Sequence, residues 1–141
     1  MKKILIDTNI LISAAYSRKG LPRQAFDKAV SSSLYRCLIC EQTLEEFWRI
    51  ANRKFPERIG DFESFMAQAL LLMEVISVSA DAYDAEKEIR DIKDRPILRA
   101  AISASVDILL TGDKDFIEST IENPKIMKAA EFVTPRKQNE S

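Results

Sequence analysis

The chain has 141 residues, 46% of them hydrophobic and 30% charged, which suits one soluble domain with a core of its own. Its 21 basic and 22 acidic residues nearly cancel to a net charge of −1, so bulk charge marks neither a nucleic-acid binder nor a membrane-surface protein. Histidine is absent from the sequence, which removes histidine-assisted acid–base catalysis and both Ser-His-Asp and Cys-His nucleophiles, and leaves hydrolytic chemistry to carboxylates, lysine, tyrosine or a metal.

The opening segment KILIDTNILIS places a strand over 3–6 that runs straight into Asp7. Asp7 reads two ways, as the cap of the helix that follows or as one corner of a metal site. The acid also comes too early for a secretory apolar segment, and the longest apolar stretch, AQALLLMEVISVSA, is interrupted by Gln68 and Glu74. A cytoplasmic protein with no membrane span is expected.

Residues 21–31 put Leu21, Ala25, Phe26, Ala29 and Val30 on one helical face, with Pro22 in the first turn, where its missing N–H costs nothing. A strand over 34–39 follows and contains Cys37. Cys40 lies three residues on, and with no other cysteine and no histidine the pair lacks the ligands for zinc. Residues three apart on a strand face opposite ways, so two free structural thiols are expected. Residues 42–53 form a helix with Leu44, Phe47, Trp48 and Ala51 on its inner stripe. Glu46 borders that stripe while Glu45 is turned about 100° away, so Glu46 is the acid better placed near the sheet edge. A solvated helix surface is the simpler alternative for it.

Helical patterns continue over 61–73, opening after Gly60 with Phe62, Phe65, Met66, Ala69, Leu70 and Met73 inward, and over 81–90, with a strand at 75–78 between them. The stretch DRPILRAAISASV reads as another helix, with Asp94 as N-cap, Pro96 in the first turn and Ile97, Ala100, Ala101 and Ala104 facing inward. A strand at 106–110 leads into TGDKDF, so Asp113 follows this strand as Asp7 follows the first. Alone, Asp113 is more simply a turn residue after Gly112, and Asp115 is as readily a helix-start acid. A last strand at 125–127 and a short helix in KAAEF complete a domain over 1–134, and residues 135–141, PRKQNES, are expected to be disordered.

Strands alternating with helices predict an α/β fold, a parallel sheet covered by helices on both faces. Ligands of such sheets bind outside the carboxyl ends of the strands, at the point where strand order reverses. If the first and fourth strands are neighbours, Asp7 and Asp113 converge there, and the helices of Glu46 and Asp94 begin near the same edge. Clustered carboxylates repel one another and supply the oxygen ligands that Mg²⁺ or Mn²⁺ prefers, with a bound water made more nucleophilic.

Four pieces, ILIDTNILIS, TLEEFWRIANRK, KDRPILRAAISASVDILLTGDKDF and KIMKAAEF, together resemble the PIN domain, and specifically the stand-alone VapC-like toxin nucleases of toxin–antitoxin pairs. The resemblance runs over essentially the whole chain. It implies a three-layer α/β/α fold with sheet order 3-2-1-4-5 and a metal-dependent endoribonuclease acting as the toxin of a type II pair. It implies Asp7, Glu46, Asp94 and Asp113 as the catalytic acids, with Asp7, Asp94 and Asp113 as metal ligands and Asp115 as an auxiliary fifth. Asn9 resembles the amide that steadies the first Asp, and Thr111 or Ser13 supports the site similarly. Water attack, rather than attack by the ribose 2′-hydroxyl, leaves 5′-phosphate and 3′-hydroxyl ends. Arg49, Arg53, Lys54 and Arg58 are positioned to hold RNA backbone, with a solvated helix face as the alternative. Trp48 and Tyr16 are stacking candidates, Trp48 being better explained as core.

The resemblance further implies a small antitoxin partner whose basic residue crosses the acidic site, and a homodimer joined through the helix at 61–73 or near Leu21. Cys40 stands where such proteins often carry Ser ahead of the second helix, which predicts a weaker cap. Asp91 reads as a surface residue. Two other classes compete: a catalytically weak RNA-binding or assembly module, and a phosphatase with Asp7 as nucleophile. The second is disfavoured because position 9 is Asn rather than Asp.

Overall fold

Alternation of apolar side chains along the strands builds two cores, one on each face of a single sheet. The computed structural model describes residues 1–134. In chain order the elements are β1 (Lys2–Ile6), α1 (Thr8–Tyr16), α2 (Leu21–Ser31), β2 (Tyr35–Cys40), α3 (Glu41–Lys54), α4 (Ile59–Ala69), β3 (Glu74–Ile76), α5 (Arg95–Ser103), β4 (Ile108–Leu110), α6 (Lys114–Ile117), β5 (Lys125–Met127) and α7 (Ala129–Val133). All strand pairs are parallel, in the order β3-β2-β1-β4-β5, giving the three-layer architecture that the sequence implied.

Ile4, Ile6, Cys37, Ile39, Ile108 and Leu110 point into the larger core, which α1, α2, α3, α4 and α7 cover. Leu5, Leu38, Cys40 and Leu109 point the other way, against Ile97, Leu98, Ala100 and Ala101 of α5 and Phe116 of α6. The two cysteines are free, buried and on opposite faces, as their spacing requires. Among the described residues no helix is long and apolar enough to cross a membrane. The expectation for the tail at 135–141 lies outside the described residues.

Several elements differ from expectation. Residues 81–90 do not form an α-helix but an irregular stretch with a 3₁₀ turn at Asp84–Glu88. The segment has too few apolar groups for an inner stripe: Ile89 is fully buried, but Tyr83 is 39% exposed. Its anchor is polar instead, because the buried Glu86 carboxylate accepts two hydrogen bonds from Arg99, at 3.0 and 2.9 Å, and one from the Tyr83 N–H at 2.6 Å. The helix expected after Gly60 begins before it, at Ile59, and ends at Ala69. Leu71 and Leu72 are 85% and 53% exposed, and the chain returns to the core only at Met73. Leu21, expected to face inward, is 44% exposed.

α5 ends in a Schellman turn, with the Ser105 N–H donating to Ile102 and the Val106 N–H to Ala101. Ser105 there has φ 57°, a conformation that glycine adopts without cost.

Candidate active site

Strand register sets the first two site residues side by side. Ile6 of β1 pairs with Leu110 of β4, so Asp7 and Thr111 leave the sheet together at its carboxyl edge, where the order turns from β1 to β4. Asp7 is buried; its Oδ1 accepts from the Thr8 N–H at 2.8 Å, capping α1, and its Oδ2 accepts from the Thr111 hydroxyl at 2.8 Å. Asp7 is therefore a helix cap that also lines the cleft at this edge. Each oxygen retains a lone pair for a further partner.

The hydrogen bonds continue into α6. Thr111 Oγ1 accepts from the Asp113 N–H at 3.0 Å, and Asp113 Oδ1 accepts from the Asp115 N–H at 2.9 Å, capping that helix. Asn9 Oδ1 accepts from the Gly112 N–H at 3.0 Å. The amide thus fastens α1 to the turn that carries Asp113.

A cleft of about 260 Å³ at this edge is lined by Asp7, Glu46, Asp94 and Asp113, together with Asn9, Ser13 and Lys54. The four acids come from four separate elements. Asp94 occupies the N-cap position of α5, but its side chain makes no capping bond there. Asp91 instead caps the 3₁₀ turn at Ile92–Asp94, accepting from the Lys93 N–H at 3.0 Å, which leaves the Asp94 carboxyl turned to the cleft.

The electrostatics follow from this crowding. Burial pushes the Asp7 carboxyl up to about 6; hydrogen bonds from Thr111 and Thr8 oppose the rise, and the charges of Asp113 and Glu46 add to it. Asp94 is pushed up to about 8, first by burial and then by the adjoining Asp113 carboxyl, with Asp7 and Asp91 adding repulsion. An all-oxygen donor set that resists ionisation in this way fits a hard divalent cation.

Other expected residues lie elsewhere. Asp115 is outside the cleft and pairs with Arg90 at 3.1 Å, although it, Asp91 and Asp94 offer oxygens within 4.8 Å of one another. Asp91 is exposed, as expected of a surface residue. Arg49 and Arg53 are exposed on α3 and do not line the cleft. Arg58 pairs with Asp61 at 3.1 Å and lies over the Tyr16 ring. Trp48 packs edge-on against Phe47 at 5.1 Å. Cys40 holds the N-cap position of α3 without a side-chain capping bond, in keeping with the weaker cap expected of a cysteine there.

Sequence reasoning passed over Lys93 and Gln42, which line the cleft, and Arg90. Lys93 directly precedes Asp94, and that adjacency was the available signal.

The chain is similar to known proteins in sequence and in fold. The chain is 26% identical over 121 residues to an uncharacterized protein of Methanocaldococcus jannaschii, covering 86% of this chain and 77% of that protein. Its fold is similar to that in the crystal structure of VapBC2 from Rickettsia felis bound to a DNA fragment from their promoter, with a TM-score of 0.65 and 20% identity over 89% of this chain and 98% of the other. It is also similar to Mycobacterium tuberculosis VapC20, a sarcin-ricin loop cleaving toxin, with a TM-score of 0.58 and 18% identity over 82% and 93% of the two chains. Residues 3–115 match the family described as PIN domain, and the chain belongs to that family.

Proposed function

We propose that the protein is a metal-dependent endoribonuclease that hydrolyses RNA phosphodiester bonds and serves as the toxin of a type II toxin–antitoxin pair. The observation that carries this reading is the convergence of Asp7, Glu46, Asp94 and Asp113 on one cleft at the carboxyl edge of the sheet. The likeness in fold to VapBC2 and to VapC20, a sarcin-ricin loop cleaving toxin, supports the same reading.

Asp7, Asp94 and Asp113 would hold Mg²⁺ or Mn²⁺. When bound, such an ion supplies Lewis acidity, acidifying a water and offsetting charge on the phosphoryl oxygens. The chain's own residues prepare for it. Thr8 and Thr111 fix both Asp7 oxygens in orientation, and the Asp115 N–H fixes Asp113. Glu46, exposed on the first turns of α3, orients from the opposite wall. Lys54 and Lys93 at the rim meet the anionic backbone of an incoming strand.

An antitoxin that places a basic side chain among these acids would block them by replacing the cation, and this remains part of the proposal together with a cytoplasmic homodimer. The apolar side chains of α4 largely face the protein's own core, so of the two regions named for a dimer interface the exposed apolar groups are Leu70–Leu72 and Leu21.

The direct test is cleavage of a 5′-labelled mixed RNA with Mg²⁺ or Mn²⁺ and with EDTA, comparing wild type with Asp7→Asn and Asp94→Asn. The expected result is metal-dependent cutting to 5′-phosphate and 3′-hydroxyl ends, abolished in both folded variants. Equal cutting by the Asn variants, or an inert wild type across several RNAs and metals, would move a binding or assembly role ahead.

A further inference from the structure

α1 joins two pockets of opposite charge. At its start lies the acidic cleft; at its end a second pocket of about 420 Å³ opens between the turn after Tyr16, α2 and α4. Arg18, Lys19, Arg23 and Arg58 line that pocket against the single carboxylate of Asp61. In a chain of net charge −1 this is a local excess of cations, and its parts differ in how they are held.

Two of the arginines are fixed in place. Arg23 donates to the Ala14 carbonyl at 3.2 Å, pairs with Asp27 at 3.2 Å and lies 5.3 Å over the Phe65 ring. Arg58 pairs with Asp61 and lies 4.5 Å over the Tyr16 ring. Arg18 and Lys19, in contrast, are exposed and form no ion pair among the described residues. They are the charges left available to a ligand.

The two pockets share a wall. The Tyr16 ring, lining the basic pocket, packs 5.1 Å from the Phe55 ring, which lines the acidic cleft beside Lys54. The nine residues of α1 separate the pockets by about 13 Å at the helical rise, a distance that a few nucleotides of one strand can span. An anionic polymer whose phosphates meet a cation held by the carboxylates fits a path that ends at these free cations. Resting on the nuclease reading, we propose that the Arg18 and Lys19 pocket is a subsite for backbone phosphates of a single-stranded RNA whose scissile bond lies in the acidic cleft.

The test is fluorescence-anisotropy binding of a 5′-fluorescein single-stranded RNA in Mn²⁺, with Asp7→Asn as a non-cutting parent. Onto it are placed either Arg18→Gln with Lys19→Gln, or Lys2→Gln with Lys125→Gln, which removes the same charge at the opposite end of the sheet. Matching melting temperatures check that all three proteins are folded. The first pair should weaken binding and lower the slope of log affinity against log salt by about 1.4, about 0.7 for each lost phosphate contact on a single strand. The parent then loses about sevenfold more affinity than this variant for each fourfold rise in salt. The control pair should leave the slope unchanged.

Equal effects from both pairs, or no effect from either while RNA still binds, overturn the subsite and leave the nuclease reading intact. A polyglutamate peptide that depends on Arg18 and Lys19 when RNA does not overturns it in favour of a protein partner. Absence of RNA binding by the parent and of RNA cutting by wild type overturns both.

Discussion

Glu86 and Asp94 lie eight positions apart, and both pack toward α5, yet their environments push them in opposite directions. Glu86 is 3% exposed and meets Arg99 in a two-bonded pair, which with the Tyr83 N–H holds its carboxyl below the usual range. Asp94 forms no ion pair among the described residues, and burial with the adjoining Asp113 carboxyl drives it up to about 8. One carboxyl is paired with a cation of the chain and the other is not. That difference separates a structural anchor from the site that we propose binds an outside cation.

Breaking the complete site should have the largest effect. Arg99→Met strands the buried Glu86 carboxylate and should cost about 3–5 kcal/mol of stability, read by chemical denaturation. A loss near zero would mean that the anchor for residues 79–90 lies elsewhere. The reverse holds at the incomplete site. Asp94→Asn removes the cost of burying a titratable carboxyl beside Asp113 and should stabilise the metal-free protein by about 1–2 kcal/mol at neutral pH, a figure discounted for the partial exposure of this side chain.

The pH dependence distinguishes the two sites further. Asp7 and Asp94 keep protons in the folded state that the unfolded chain has already released. Their contribution is therefore fully present below about pH 4 and is lost as pH rises through about 6 and then about 8. Glu86 has the opposite sign: its lowered pKa gives stability above its unfolded value, lost as pH falls. Thermal melts without metal should show the alkaline fall flattened in Asp94→Asn, while the acid limb is unchanged.

The smallest change is a control at the other end of α5. Ser105→Gly relieves a left-handed residue in the Schellman turn and should add about 0.5–1 kcal/mol without touching either acid. If it alters RNA cutting, the two ends of α5 are coupled.

The strands and their parallel arrangement were legible because they rest on apolar period and on alternation with helices, whereas the strand order, and with it the gathering of the acids, followed only from the resemblance to the PIN domain. Asp7 and Asp113 each end an apolar run, and register alone then brings Asp7 beside Thr111. What was not legible depends on partners distant in sequence. The 81–90 segment was read as a helix although it has too few apolar groups for an inner stripe, and nothing local marks Glu86 as the partner of Arg99. Asp94 was expected both to cap α5 and to face the site; it holds the N-cap position without a capping bond, and the bond is made instead by Asp91 on the preceding turn. Lys93 and Arg90 enter through the bends of that same irregular stretch.

The most direct measurement of the central claim is an equilibrium Mn²⁺ titration of the intact protein, following free ion by electron paramagnetic resonance. The account predicts saturable binding at neutral pH that is lost in Asp7→Asn and in Asp94→Asn while both remain folded. Binding that survives both substitutions, or none in the wild type up to millimolar Mn²⁺, would contradict a cation site built from these carboxylates.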